Sequence, residues 1–141
     1  MTKRYIGTKQ ITAWPQDMGG RDGYSVIYAD GYTSWSPKDA FEEAYRVIEG
    51  EGQVLTFGDA LVMLRAGKKV TRAPWKAGGV FVYYVPAAAY PAQTGIAKHY
   101  FGENALVPYH AYLAIKRADE TVCVFVPGMD SILADDWIVL E

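Results

Sequence analysis

One nine-residue run gathers the groups that bind phosphate and nucleobase: Thr71-Arg72-Ala73-Pro74-Trp75-Lys76-Ala77-Gly78-Gly79. A guanidinium can fork two phosphate oxygens, an ammonium adds a point charge, and an indole offers a flat face to a base. Arg72, Trp75 and Lys76 fall on a Pro/Gly-rich connection between two predicted strands, and connections carry function disproportionately. The same residues also suit a hairpin loop with a packed Trp, and local chemistry alone divides evenly between the two readings. Eleven Tyr, four Trp and five Phe add rings that could stack on a base, many of them near turns, although rings are equally ordinary in cores and interfaces.

Other chemistries are poorly supplied. His99, His110 and Cys123 lack the clustered spacing of a metal site. No serine sits in a strand-turn-helix elbow, no glycine-rich phosphate loop is present, and Cys123 falls mid-strand. Asp135 and Asp136 are adjacent, so on a strand they would point to opposite faces rather than share one acid/base site. The expectation is a protein that is not an enzyme and needs no cofactor.

Bulk properties narrow the partners. A net charge of −2 and a pI near 5.7 leave no basic face for tracking a nucleic-acid polymer. Half of the residues are apolar and 21% charged, enough for a packed interior in 141 residues. A single cysteine rules out an internal disulfide and suits a reducing cytoplasm. The polar start predicts no signal peptide, and the most apolar stretch, Val80 to Ala92, is interrupted by Pro86 and Pro91, so no membrane partner is expected.

The elements that must position these residues follow from periodicity and punctuation. Tyr5 to Trp14 reads as a first strand. Tyr24–Tyr28 and Tyr32–Trp35 alternate around Asp30-Gly31, a dipeptide suited to the positive φ angles of a tight hairpin. Ser36-Pro37-Lys38-Asp39 reads as a helix start, with Ala40, Phe41, Ala44, Tyr45 and Ile48 on one face and Gly50 as the stop. The polar run Glu49–Gln53 is the best boundary in the chain, separating a small hairpin-plus-helix module (residues 1–49) from a second domain (residues 54–141). In that domain a helix starts at Thr56, with Asp59 as a variant capping-box partner and Gly67 as the stop. Strands follow at Lys68–Arg72, Val80–Val85, Tyr112–Arg117, Thr121–Val126 and Trp137–Leu140, with a hairpin turn at Ala118-Asp119-Glu120. Pro86 to Pro108 reads as a long connection without clear periodicity. The fold class is therefore α+β: an antiparallel sheet core with one helix, preceded by the small module.

The second domain also resembles a known family. The opening Thr56-Phe57-Gly58-Asp59-Ala60-Leu61, the run Gly67-Lys68-Lys69-Val70-Thr71-Arg72 leading to Trp75, and Val80-Phe81-Val82-Tyr83-Tyr84-Val85-Pro86 carry the likeness. So do Lys116-Arg117-Ala118-Asp119 and Leu133-Ala134-Asp135-Asp136-Trp137. In order and spacing these are similar to the phage Thoeris anti-defence proteins of the second kind. The first 48 residues look like a separate short phage module with no assigned activity. The resemblance implies an oligomeric sponge, tetrameric where described, acting in the host bacterial cytoplasm. Its partner would be a small signalling nucleotide, a cyclic ADP-ribose isomer made by a TIR enzyme, with cyclic dinucleotides at a second site in some relatives. By the same resemblance Arg72, Trp75 and Lys76 are the foremost ligand contacts, followed by Tyr83, Tyr109, Tyr112, Asp136 and Trp137. Two alternatives stay open: an enzyme degrading the same nucleotide, and a protein-binding inhibitor of the immune effector.

Overall fold

The computed structural model describes residues 1–141, and the chain divides into two compact units, Met1–Arg46 and Val47–Glu141. In the first, β1 (Thr12–Pro15), β2 (Gly23–Ile27) and β3 (Thr33–Pro37) form an antiparallel sheet in the order β1-β2-β3, followed by α1 (Lys38–Ala44). Five residues join β2 to β3, and the Tyr28–Tyr32 main-chain bond leaves three of them, Ala29-Asp30-Gly31, at the tip of the turn. Gly31 N–H donates to Tyr28 C=O at 2.9 Å, Tyr28 N–H donates to Tyr32 C=O at 2.9 Å, and Tyr32 N–H donates to Asp30 Oδ1 at 3.0 Å. Only Gly31 takes a positive φ, 89°, so this is a three-residue turn with one left-handed position rather than the two-residue turn that Asp-Gly suggests.

Two elements of this unit are shorter than their sequence pattern. The first strand begins at Thr12, because β2 turns away after Thr12's partner Ile27 and nothing remains opposite the earlier residues. Ser36 does not cap α1, since it stays in β3 opposite Tyr24, which moves the cap to Pro37 without a side-chain bond. The helix ends at Ala44, with Tyr45 extended, and Ile48 instead packs against the core of the second unit. Tyr24, Phe41 and Tyr45 stack in series, with ring centroids 4.1 and 5.0 Å apart. Gly23 is required here: a Cβ would stand 2.3 Å from the Trp35 ring.

The second unit is built on a five-stranded antiparallel sheet in the order β10-β4-β5-β8-β9. These strands are β4 (Lys69–Arg72), β5 (Phe81–Val85), β8 (Tyr112–Lys116), β9 (Val122–Val124) and β10 (Trp137–Leu140). One face is covered by α2 (Phe57–Arg65), whose Ala60, Met63 and Leu64 pack on Val70, Val82 and Trp137. Both ends of α2 are closed chemically. Thr56 and Asp59 form a reciprocal capping box, with Asp59 N–H donating to Thr56 Oγ1 at 3.2 Å and Thr56 N–H to Asp59 Oδ2 at 3.0 Å. Gly67, at φ 90°, terminates the helix while Gly67 and Lys68 N–H donate to the Leu64 and Met63 carbonyls.

The segment from Pro86 to Pro108 has structure of its own, contrary to the expected connection. It folds as β6 (Ala88–Pro91), α4 (Gly95–Phe101) and β7 (Leu106–Tyr109), with β6 and β7 paired in a separate two-stranded sheet. Thr94 caps α4 by accepting from Ala97 N–H at 3.1 Å. Together with the short α3 (Ala73–Lys76) and α5 (Met129–Ile132), α4 adds three helices to the single one expected in this domain. Each spans two turns or fewer, too short for an amphipathic repeat to show. No helix is long and apolar enough to cross a membrane.

Candidate functional site: a cleft beside Trp75

Strand register builds the site. Arg72, the last residue of β4, lies opposite Trp137, the first of β10, so both side chains share the face that carries the core. The chain then turns into α3, where Pro74 falls in the first turn and its missing N–H breaks no helical bond. Ala73 N–H donates to Asp136 C=O at 3.1 Å, bringing the Asp136 carboxylate under the guanidinium. Arg72 donates from Nε to Asp136 Oδ1 at 2.9 Å and from Nη2 to Oδ2 at 3.1 Å, a two-bond fork that holds the guanidinium above its ordinary pKa. The Arg72 Cζ also lies 5.3 Å from the centre of the Trp75 ring.

Trp75 is thus held from several sides. It meets Trp137 edge to face at 5.5 Å and 85°, and Phe125 at 6.1 Å and 81°. Trp137 itself is fully buried, and its indole N–H donates to Ser131 C=O at 2.9 Å. Trp137 is a core residue with no free face, because its ring closes the interior between α2 and the sheet. Arg72 and Asp136 are forked to each other, with the guanidinium beside the Trp75 ring.

Trp75 remains half-buried and forms one wall of a cleft of about 420 Å³ shared with Val80, Ile115, Arg117, Ala118 and Asp119. The opposite wall is the turn from β8 to β9. There Arg117 N–H donates to Thr121 C=O at 2.8 Å and Glu120 N–H to Arg117 C=O at 3.0 Å. Asp119 Oδ1 accepts from both the N–H and the hydroxyl of Thr121, at 3.0 and 2.6 Å, and these bonds hold its carboxyl below the usual range. This loop repeats the β2–β3 turn residue for residue: Ala118-Asp119-Glu120 matches Ala29-Asp30-Gly31, with Glu120 at φ 68° in the position that Gly31 fills.

The other sequence candidates lie elsewhere. Lys76 ends α3, exposed and outside the cleft lining. Tyr83 and Tyr112 belong to the opposite face of the sheet, since Val82, Tyr84, Leu113 and Ile115 take the core side and strand side chains alternate. Tyr109 ends β7 and meets Tyr90 at 6.1 Å on the two-stranded sheet. Sequence reasoning assigned no role to Arg117 and Asp119, although the period of two places Arg117 on the same side as Ile115. His99 lies on α4, His110 between β7 and β8, and Cys123 on β9. A second cleft, of about 360 Å³, lies in the first unit between Pro15–Asp17, Asp22–Tyr24 and Lys38.

Fold and cleft together define a small α+β protein whose antiparallel sheet, covered on one face by a helix, carries a ring-walled cleft at its β8–β9 end. Residues 55–140 match the Thoeris anti-defense 2-like domain, and the chain belongs to that family. It is similar to Thoeris anti-defense 2 of Bacillus phage SP01, with 30% identity over 88 residues that make up 62% of this chain and 96% of that protein. Membership places the protein among phage factors that act against bacterial defence. The matched region lies within the second unit, and the first 54 residues fall outside it.

Proposed function

We propose that the protein counters Thoeris immunity by binding a signalling nucleotide, a cyclic ADP-ribose isomer, and keeping it intact and out of reach of its receptor. The observation that carries this reading is the cleft beside Trp75. Its volume of about 420 Å³ falls within the ordinary range for small-molecule sites, and an indole wall and a guanidinium share its rim. A base can stack on the ring while a phosphate meets the cation. Trp75 is locked by Arg72, Phe125 and Trp137, so little ordering is lost on binding, which favours the tight capture that sequestration needs.

Holding rather than cleaving is favoured by the lining itself. No hydroxyl or thiol faces the cleft beside a base, and its single carboxylate, Asp119, has a lowered pKa that makes it a weak proton acceptor. On this reading the protein works in the cytoplasm of the infected bacterium, where the signal is made. Exposed apolar side chains on α4 and α5, among them Ile96, Tyr100 and Leu133 just beyond α5, suit self-association into a homo-oligomer.

The test is direct. Purified protein is mixed with the cyclic ADP-ribose isomer released by a Thoeris TIR enzyme, freed of unbound ligand, denatured, and the supernatant chromatographed. Recovery of about one intact equivalent per site supports sequestration. Turnover beyond one equivalent replaces it with an enzyme, and a signal left wholly free in solution ends the proposal.

A further inference from the structure

We infer that Arg117 is the phosphate-contacting cation of this cleft and that Asp119 takes a sugar hydroxyl, so that the β8–β9 turn seats a ribonucleotide whose base lies on Trp75. The assignment rests on the reading of the cleft as a nucleotide site and moves its ionic contact away from Arg72.

Arg72 is poorly suited to a phosphate. Two of its N–H groups already fork Asp136, and the pair carries no net charge, so its attraction for an anion is largely cancelled. Arg117 differs in that no carboxylate forks it: its guanidinium lines the cleft, is exposed, and donates no hydrogen bond within the chain, although its charge is felt by the Asp119 carboxylate in the same lining. The neighbouring cation, Lys116, is taken by Glu120 at 2.8 Å. Arg117 follows Ile115 by two positions and therefore projects to the same side of the sheet as Trp75.

Asp119 divides the ligand. Thr121 holds Oδ1 with two bonds, which fixes the carboxylate and leaves Oδ2 able to accept. A carboxylate repels phosphate and accepts from hydroxyls, so the anion belongs at Arg117 and a ribose hydroxyl at Asp119. The turn is set by main-chain bonds before any ligand arrives, so both groups are already in place. Ala118 lines the cleft, and a Cβ added to Gly78 would stand 3.9 Å from the Ala118 Cβ. A larger side chain at exposed Ala118 would occupy the cleft without entering the core.

Calorimetric titration of the full chain with the cyclic ADP-ribose isomer from a Thoeris TIR enzyme tests the assignment. Arg117→Ala is expected to raise Kd by about 10–100-fold, and Arg117→Lys to recover only part of the loss because an ammonium cannot fork. Ala118→Leu should abolish binding, while Lys68→Ala, which removes an exposed cation outside the cleft, should stay within about twofold. Melting curves of the unliganded variants confirm that each is folded. If Arg117→Ala and Ala118→Leu both bind as the unaltered protein does, the assignment is wrong while nucleotide capture stands. If the unaltered protein gives no binding heat and leaves the isomer free on equilibrium dialysis, the nucleotide reading falls and the assignment with it.

Discussion

The Gln53 side chain pairs with the Val139 main chain in both directions, Oε1 accepting from Val139 N–H at 2.7 Å and Nε2 donating to Val139 C=O at 3.2 Å. A primary amide here does the work of a peptide group in a neighbouring strand. One bridge further along, Leu55 exchanges both main-chain bonds with Trp137, at 3.2 and 3.1 Å. Together they close the outer edge of β10, which would otherwise offer unpaired N–H and C=O groups to other chains. Gln53→Ala is therefore expected to lower stability by about 1–2 kcal/mol in urea titration. Gln53→Glu should lose nearly as much, because a carboxylate accepts from Val139 N–H but repels its carbonyl oxygen. Equal stability of all three proteins would show that water serves that edge as well as the amide does.

The Arg72–Asp136 fork is half-buried, with side-chain exposures of 14% and 36%. A double-mutant cycle with Arg72→Ala and Asp136→Ala should return a coupling of about 1–2 kcal/mol in unfolding free energy. The single Arg72→Ala change should also loosen Trp75, seen as a red shift in its fluorescence. A coupling near zero would mean that solvent screens the pair.

Trp75 and Trp137 differ in what their loss does. Trp137→Ala removes the largest fully buried side chain and should cost about 3–5 kcal/mol, enough to threaten folding. Trp75→Ala leaves a gap beside Phe125 and Trp137 as well as removing the cleft wall, so a milder loss of about 1–2 kcal/mol is expected. Thermal melts of the two variants without ligand check the order, which reverses if Trp75 is the greater structural support.

Glu120 holds a positive φ of 68° in a turn where the matching loop uses Gly31 at 89°. Glu120→Gly should stabilise by about 0.5–1 kcal/mol, since the strain of the left-handed position exceeds what the exposed pair with Lys116 contributes. Gly31→Ala should destabilise by a comparable amount for the same reason. Chemical denaturation of both variants gives the signs.

Asp119 supplies the pH dependence of this turn. Its folded pKa lies below the ordinary value of 3.8, so the bonds to Thr121 contribute their full stabilisation above that value. The contribution is lost as pH falls from about 4 through the lower folded pKa. Melting temperature followed from pH 6 to pH 2 should therefore drop more steeply for the unaltered protein than for Asp119→Asn. Parallel curves would show that the carboxylate is not held by Thr121 in solution.

What the sequence determined by itself was local. Thr56 with Asp59, and Gly67 after the last apolar position, mark the ends of α2 because caps act within a few residues. The alternation in β2, β3, β5 and β8 placed those strands because pleating has a period of two. Asp30-Gly31 and Ala118-Asp119-Glu120 placed two turns, although the conformation of each depended on how the flanking strands met. The antiparallel α+β class follows from such short-range signals, and β6, α4 and β7 escaped notice because each is too short to show a period.

The site was a matter of tertiary structure. Arg72, Trp75, Asp136 and Trp137 all stood out as chemically capable groups, but capability is not availability. Only the register of β10 against β4 paired the guanidinium with a carboxylate and sank Trp137 into the core, leaving Trp75 as the accessible ring. Arg117 became prominent when the β8–β9 turn was set opposite α3, 42 residues away along the chain from Trp75. A side chain's polar groups are free or spent according to which partners fall within about 3 Å of it, and contacts between strands distant in sequence are decided by the folded arrangement alone.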